Sequence, residues 1–108
     1  MIKAIIIDDI EQARITLKKD LQVYAQDVTV IGEANGVVEG AKLLKSSCPD
    51  VLFLDIQMQD GSGFDLLDIL KDIPFKIIFI TASAWKIMSA SQIVRTCHFR
   101  PQQASVRK

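Results

Sequence analysis

The stretch VLFLDIQMQDGSGF, residues 51–64, runs four apolar side chains into a single aspartate, Asp55, and then into a turn rich in Gln, Asp and Gly. Four consecutive apolar residues bounded by turn formers read as a short strand covered on both faces. A carboxylate at the end of such a strand loses hydration, so a partner elsewhere in the chain must compensate for it.

Working outward, the same pattern recurs. Residues 2–7, IKAIII, predict a buried strand ended by Asp8 and Asp9, and VTVI at 28–31 and FKIIFIT at 75–81 predict two more. Between the strands, EQARITLKKDLQVYAQ at 11–26 places Ala13, Leu17, Leu21 and either Tyr24 or Ala25 at helical spacing. VVEGAKLLKSS at 37–47 does so with Val37 or Val38, Ala41 and Leu44, and FDLLDILK at 64–71 with Phe64, Leu67 and Leu70. Strand and helix alternating in this way imply crossover connections, parallel strands and helices on both faces of one sheet. Beyond Thr81 the pattern predicts a helix over 82–96, with mediocre propensity because of its serines and β-branched residues, and a fifth strand at 97–99. Seven residues then follow Pro101, too few for a last helix.

A chain of 108 residues suits one domain. No apolar run is long enough to cross a bilayer, and MIKAIIIDDI breaks at two aspartates, so it reads as a strand and not as a secretory signal. Cys48 and Cys97 lack metal-site or disulfide spacing, and a cytoplasmic protein with free thiols is expected. The formal net charge is zero, yet all 13 acids lie within residues 1–72 and residues 73–108 hold six basic residues. Those six are scattered and have no interleaved aromatics, which argues against a nucleic-acid surface in this chain.

Ligand chemistry in an open parallel α/β sheet collects at the carboxyl ends of the strands. Here those ends are Asp8 and Asp9, Asp55, and Thr81. An aspartate after a strand is most often a turn former, and Asp9 could cap the helix that follows. As a set, however, three carboxylates and a hydroxyl on one sheet edge call for a hard cation, because like charges held close oppose mutual ionisation. Mg²⁺ suits carboxylates, a carbonyl and retained waters.

The pieces IIIDD, GEANGVVEGAKLLKSSCPDVLFLD, LDIQMQDGSGFDLL and FITA resemble the receiver domain of two-component response regulators, from residue 2 to about 84. FITA and the Trp85 that follows lean towards receivers that precede a LytTR-type DNA-binding domain. The resemblance implies a flavodoxin-like (CheY-like) doubly wound parallel five-stranded sheet in a three-layer sandwich, with the last helix missing. It implies that Asp55 accepts a phosphoryl group from a sensor histidine kinase as a signalling switch controlling transcription, not as a turnover enzyme. Asp8 and Asp9 would bind Mg²⁺ with Asp55, and the backbone carbonyl of Gln57 would be a further ligand. Thr81 would donate its hydroxyl to a phosphoryl oxygen, Ala82 would leave room beside it, and Trp85 would be the switch aromatic. DNA would be reached only through a C-terminal effector domain absent from residues 1–108.

Three departures stand out. Gln59 replaces the usual proline, which should cost rigidity in the loop and not chemistry. The glycines at 61 and 63 still permit the tight turn. The family's lysine before a cis-linked proline has its nearest match in Arg100, one residue out of register; a planar guanidinium does not reproduce a compact ammonium, and a loose surface arginine is the plainer reading. The family pattern disappears from about residue 84, and no acid follows Asp72, as in a chain cut short or read in a changed frame. An apolar strip left bare by the missing helix predicts a homodimer.

Two rivals follow from the same residues. A receiver-like interaction module that is never phosphorylated is favoured by the missing lysine. A phosphohydrolase of the haloacid-dehalogenase sort would need a second aspartate two positions after Asp55, and Gln57 stands there. Neither Gln57 nor Ser83 is a strong base, so slow self-dephosphorylation is expected. Dinucleotide binding is excluded by a first turn, DDIEQ, that lacks the glycines.

Overall fold

A computed structural model describes residues 1–70 and 72–80, together with the backbone of residues 85–88. The chain runs β1 (Ile2–Ile7), α1 (Glu11–Tyr24), β2 (Val28–Ala34), α2 (Val37–Ser46), β3 (Val51–Asp55), β4 (Gln57–Met58), β5 (Gly61–Ser62), α3 (Gly63–Ile69), β6 (Lys76–Ile80) and β7 (Trp85–Met88). Five strands form one sheet in the order β2-β1-β3-β6-β7, while β4 and β5 pair as a separate two-stranded hairpin. The β1, β2, β3 and β6 pairings are parallel, as the alternation of strands and helices requires.

Period-two alternation sorts the core into two layers. Ile5 and Ile7 of β1, with Leu52 and Leu54 of β3, point to the face covered by α2 and α3, where they meet Val37, Ala41, Leu66 and Leu67. Ala4, Ile6, Val51 and Phe53 point to the other face and meet Leu17 and Leu21 of α1. Covering both faces is why β1 and β3 read as unbroken apolar runs. The structure also decides between adjacent candidates. Val37 is buried and Val38 exposed; Ala25 packs against the core while Tyr24 stands in solvent. On α3 the fully buried pair is Leu66 and Leu67, with Phe64 only half-buried and its ring 5.1 Å from that of Phe79.

The sheet is not parallel throughout. β7 lies antiparallel to β6, with Ile80 opposite Trp85 and Ile77 opposite Met88. The fifth strand is thus WKIM, inside the segment whose spacing predicted a helix. The stretch is short, contains Trp85 and Ile87, and lies next to β6, whose outer edge otherwise offers unpaired N–H and C=O groups. The expected strand at 97–99 and the missing last helix lie outside the described residues. Among those residues, no helix is long and apolar enough to cross a membrane.

Candidate functional site

Register brings the acids together. Ile7 is the Cα partner of Leu54, so Asp8 and Asp55 come next on adjacent parallel strands at the same end of the sheet. Asp8 is 4% exposed, and its backbone N–H donates to the Ala34 carbonyl at 3.1 Å, continuing the ladder with β2. Its Oδ1 accepts the Ile10 N–H at 2.9 Å, which closes the turn into α1. Arg14 braces that turn: its Nη1 donates to the Asp8 carbonyl at 2.6 Å and its Nε to Glu33 at 3.0 Å.

Asp9 does not cap α1. Ile10 occupies the N-cap and supplies no side-chain bond, so the helix begins without a polar cap. The Asp9 carboxylate turns instead to the loop after β3, where its Oδ2 accepts the backbone N–H of Gln59 at 3.1 Å. One carboxylate oxygen from each of Asp8, Asp9 and Asp55 lies within 4.8 Å of the others. Opposite ligands of a Mg²⁺ ion stand about 4.2 Å apart, so small side-chain rotations bring the three into range. Hard oxygen donors, net negative charge and half-exposed Asp9 and Asp55 that leave room for waters all fit this ion.

The charges register in the acidities. Burial pushes the Asp55 carboxyl up to about 6, with the charge of Asp8 adding to the rise. Burial also raises Asp8, against a counteracting bond from the Ile10 N–H. Two carboxyls that resist joint ionisation form a site that gains from a cation. The cleft over them, about 550 Å³, is bounded by Asp8, Asp55, Ile10, Ala13, Gln57 and Ile80.

The rim after Asp55 is built by short-range chemistry. The Gln57 N–H donates to Asp55 Oδ1 at 3.4 Å, and the Gly63 N–H closes the loop onto the Ile56 carbonyl at 2.8 Å. A Cβ at Gly63 would sit 2.5 Å from the Asp55 carbonyl oxygen, so only glycine permits this approach. Among the described residues, only Gly61 takes a positive φ, 144°. Ser62 caps α3 by accepting the Asp65 N–H, while the Asp65 carboxylate accepts the Ser62 N–H.

Of the residues expected at the site, Asp8, Asp9 and Asp55 converge and Gln57 stands at the cleft wall. Thr81, Ala82 and Arg100 lie outside the described residues, as does Ser83; Trp85 is described only as a backbone position opening β7. Sequence reasoning missed the Gln59 N–H and Asp60. Asp60 accepts the Val37 and Val38 N–H groups at 2.8 and 3.2 Å, and so caps α2 from the neighbouring loop. The usable signal was Gly36, an N-cap with no side chain, which requires a cap from elsewhere.

A family model described as the response regulator receiver domain matches residues 4–95. Among curated proteins, the sensory transduction protein LytT of Bacillus cereus is 42% identical over 84 residues, covering 76% of this chain and 34% of LytT. The transcriptional regulatory protein BtsR of Escherichia coli is also 42% identical over 84 residues, with the same coverages of 76% and 34%. The chain thus spans about a third of the length of these relatives. Among solved structures, the response regulator domain of Thermotoga maritima CheB has a TM-score of 0.70 at 25% identity, covering 88% of this chain and 72% of that one. The acidic set Asp8, Asp9 and Asp55 matches the Mg²⁺-binding cluster of receiver domains, which work with histidine kinases as phosphorylation switches and not as turnover enzymes.

Proposed function

We propose that this chain, which belongs to the response regulator receiver family, takes a phosphoryl group on Asp55 from the phosphohistidine of a partner kinase. The observation that supports it most is the approach of the three carboxylates to within 4.8 Å at the ends of adjacent strands. An Asp55 oxygen attacks phosphorus in line, the P–N bond breaks, and its electron pair returns to the imidazole nitrogen of the kinase, which takes up a proton. Asp8, Asp9, Asp55 and the Gln57 backbone carbonyl would hold Mg²⁺. An ion held by them would neutralise charge on the transferring oxygens. The same reading gives Thr81 a hydroxyl bond to the phosphoryl group, Ala82 the space next to it, Arg100 the compensating cation and Trp85 the switch aromatic.

Output follows from the longer relatives. BtsR is named a transcriptional regulatory protein and is about three times as long as the matched part. That supports a role in which the receiver governs a DNA-binding region, with DNA contacted there and not by residues 1–108.

Incubation with acetyl phosphate and Mg²⁺, followed by intact-mass spectrometry, tests the acceptor. A gain of one phosphoryl group that is lost in Asp55→Asn and in the presence of excess chelator is expected. An unmodified wild-type protein would place the chain among interaction modules that dispense with phosphorylation.

A further inference from the structure

Asp8 and Asp9 are both needed for the cluster, yet they are held differently. Asp8 is buried and bonded to the adjacent Ile10 N–H. Asp9 is half-exposed and follows the end of β1, where a free aspartate side chain would swing into water. Its carboxylate instead accepts a bond from the Gln59 N–H, fifty positions along the chain. The segment that offers this N–H is itself braced on both sides of the bond. Met58 pairs with Gly61 across the β4–β5 hairpin, and Asp60 is tied to the first two N–H groups of α2.

We propose that the backbone N–H of Gln59 is a positioning group for Asp9, holding one carboxylate oxygen so that the other is presented to the cation. The inference rests on reading Asp8, Asp9 and Asp55 as cation ligands. A carboxylate has two oxygens and about four lone-pair sites, so one N–H bond leaves ample capacity for an ion. The convergence of the three carboxylates and the Gln59 bond coexist in one arrangement, so neither has to break for the other to form. The side chain of Gln59 plays no part; any residue with a backbone N–H serves, and the proline usual at this position in the family does not. The bond is thus one that this chain adds, and the departure at Gln59 bears on the cation site as well as on loop rigidity.

The test is isothermal titration of Mg²⁺ into wild type, Gln59→Ala and Gln59→Pro. Gln59→Ala keeps the wild-type Kd. Gln59→Pro raises it about three- to tenfold, at or below the low end of the 10–100-fold typical for groups that orient metal ligands, because this bond is open to solvent. Equal Kd values for the proline and alanine variants overturn the proposal while leaving the cation site intact. A wild-type protein that takes no Mg²⁺ overturns the site and this inference together. Because proline could disturb the hairpin, amide hydrogen exchange supplies a readout that does not need that variant. Without Mg²⁺, the Gln59 amide exchanges faster in Asp9→Ala than in wild type, while amides of β1 and β3 keep their rates; an unchanged Gln59 rate sinks the proposal.

Discussion

Asp55 gives the site a sign that can be measured without any phosphate. Its carboxyl is raised from 3.8 to about 6, so between those values the folded protein holds a proton that the unfolded chain has lost. Stability from this group is therefore fully present below pH 3.8 and is lost as pH rises through about 6. Glu33, held down by its hydrogen bond to Lys18 and then by Arg14, runs the opposite way, so only a difference between variants isolates Asp55. Asp55→Asn removes the ionisation. After allowing for solvent screening in the open cleft, it stabilises the protein by about 1 kcal/mol at pH 7 and by almost nothing at pH 3.5. Urea unfolding of both proteins at the two pH values, without divalent ions, checks this; equal midpoints at pH 7 contradict it. At this scale the three aspartates were readable because each ends an apolar run. Gln59 and Asp60 were not, since their bonds join backbone N–H groups and carboxylates far apart in the chain and leave no periodic trace.

The turn between β3 and α3 decides how firmly Asp55 is held. Ser62 and Asp65 close a capping box on a helix of seven residues, which is too short to persist without outside support. Ser62→Ala should cost about 1 kcal/mol. Gly63→Ala should cost more, about 1–3 kcal/mol, because the added methyl meets the Asp55 carbonyl oxygen at 2.5 Å and the Leu54 Cγ at 2.9 Å, and backbone cannot yield as a side chain does. Paired urea titrations test the ranking, and a Gly63→Ala protein as stable as wild type would refute the tight approach. The two glycines seemed alike in sequence, yet Gly61 serves its positive φ and Gly63 a close contact. β1 and β3 were legible as apolar runs ended by aspartates, and α1 and α2 by helical spacing that repeats over several turns. β7 was not: its four residues are too few for periodicity to separate strand from helix, and what decides is the edge of β6.

For the whole molecule, the sheet converts an unfavourable charge arrangement into a linkage between fold and ion. The core holds β1 and β3 side by side, with Ala4, Ile5, Ile6, Ile7, Leu52 and Leu54 at 0% exposure, so the acids at their ends cannot separate without disrupting both layers. The unfolded chain has no such cluster, so Mg²⁺ binds the native state alone and stabilises it by mass action, about 2.7 kcal/mol at a hundred times Kd. For a domain of this size that corresponds to a rise in Tm of roughly 10–20 °C. The rise should be specific to the cluster: Asp9→Ala, which leaves two of the three carboxylates, should lose most of it, and KCl at matched ionic strength should not reproduce it. Differential scanning calorimetry at pH 7 with graded MgCl₂ distinguishes the cases. A Tm that responds equally to MgCl₂ and to KCl would reduce the three aspartates to ordinary surface charge screened by salt.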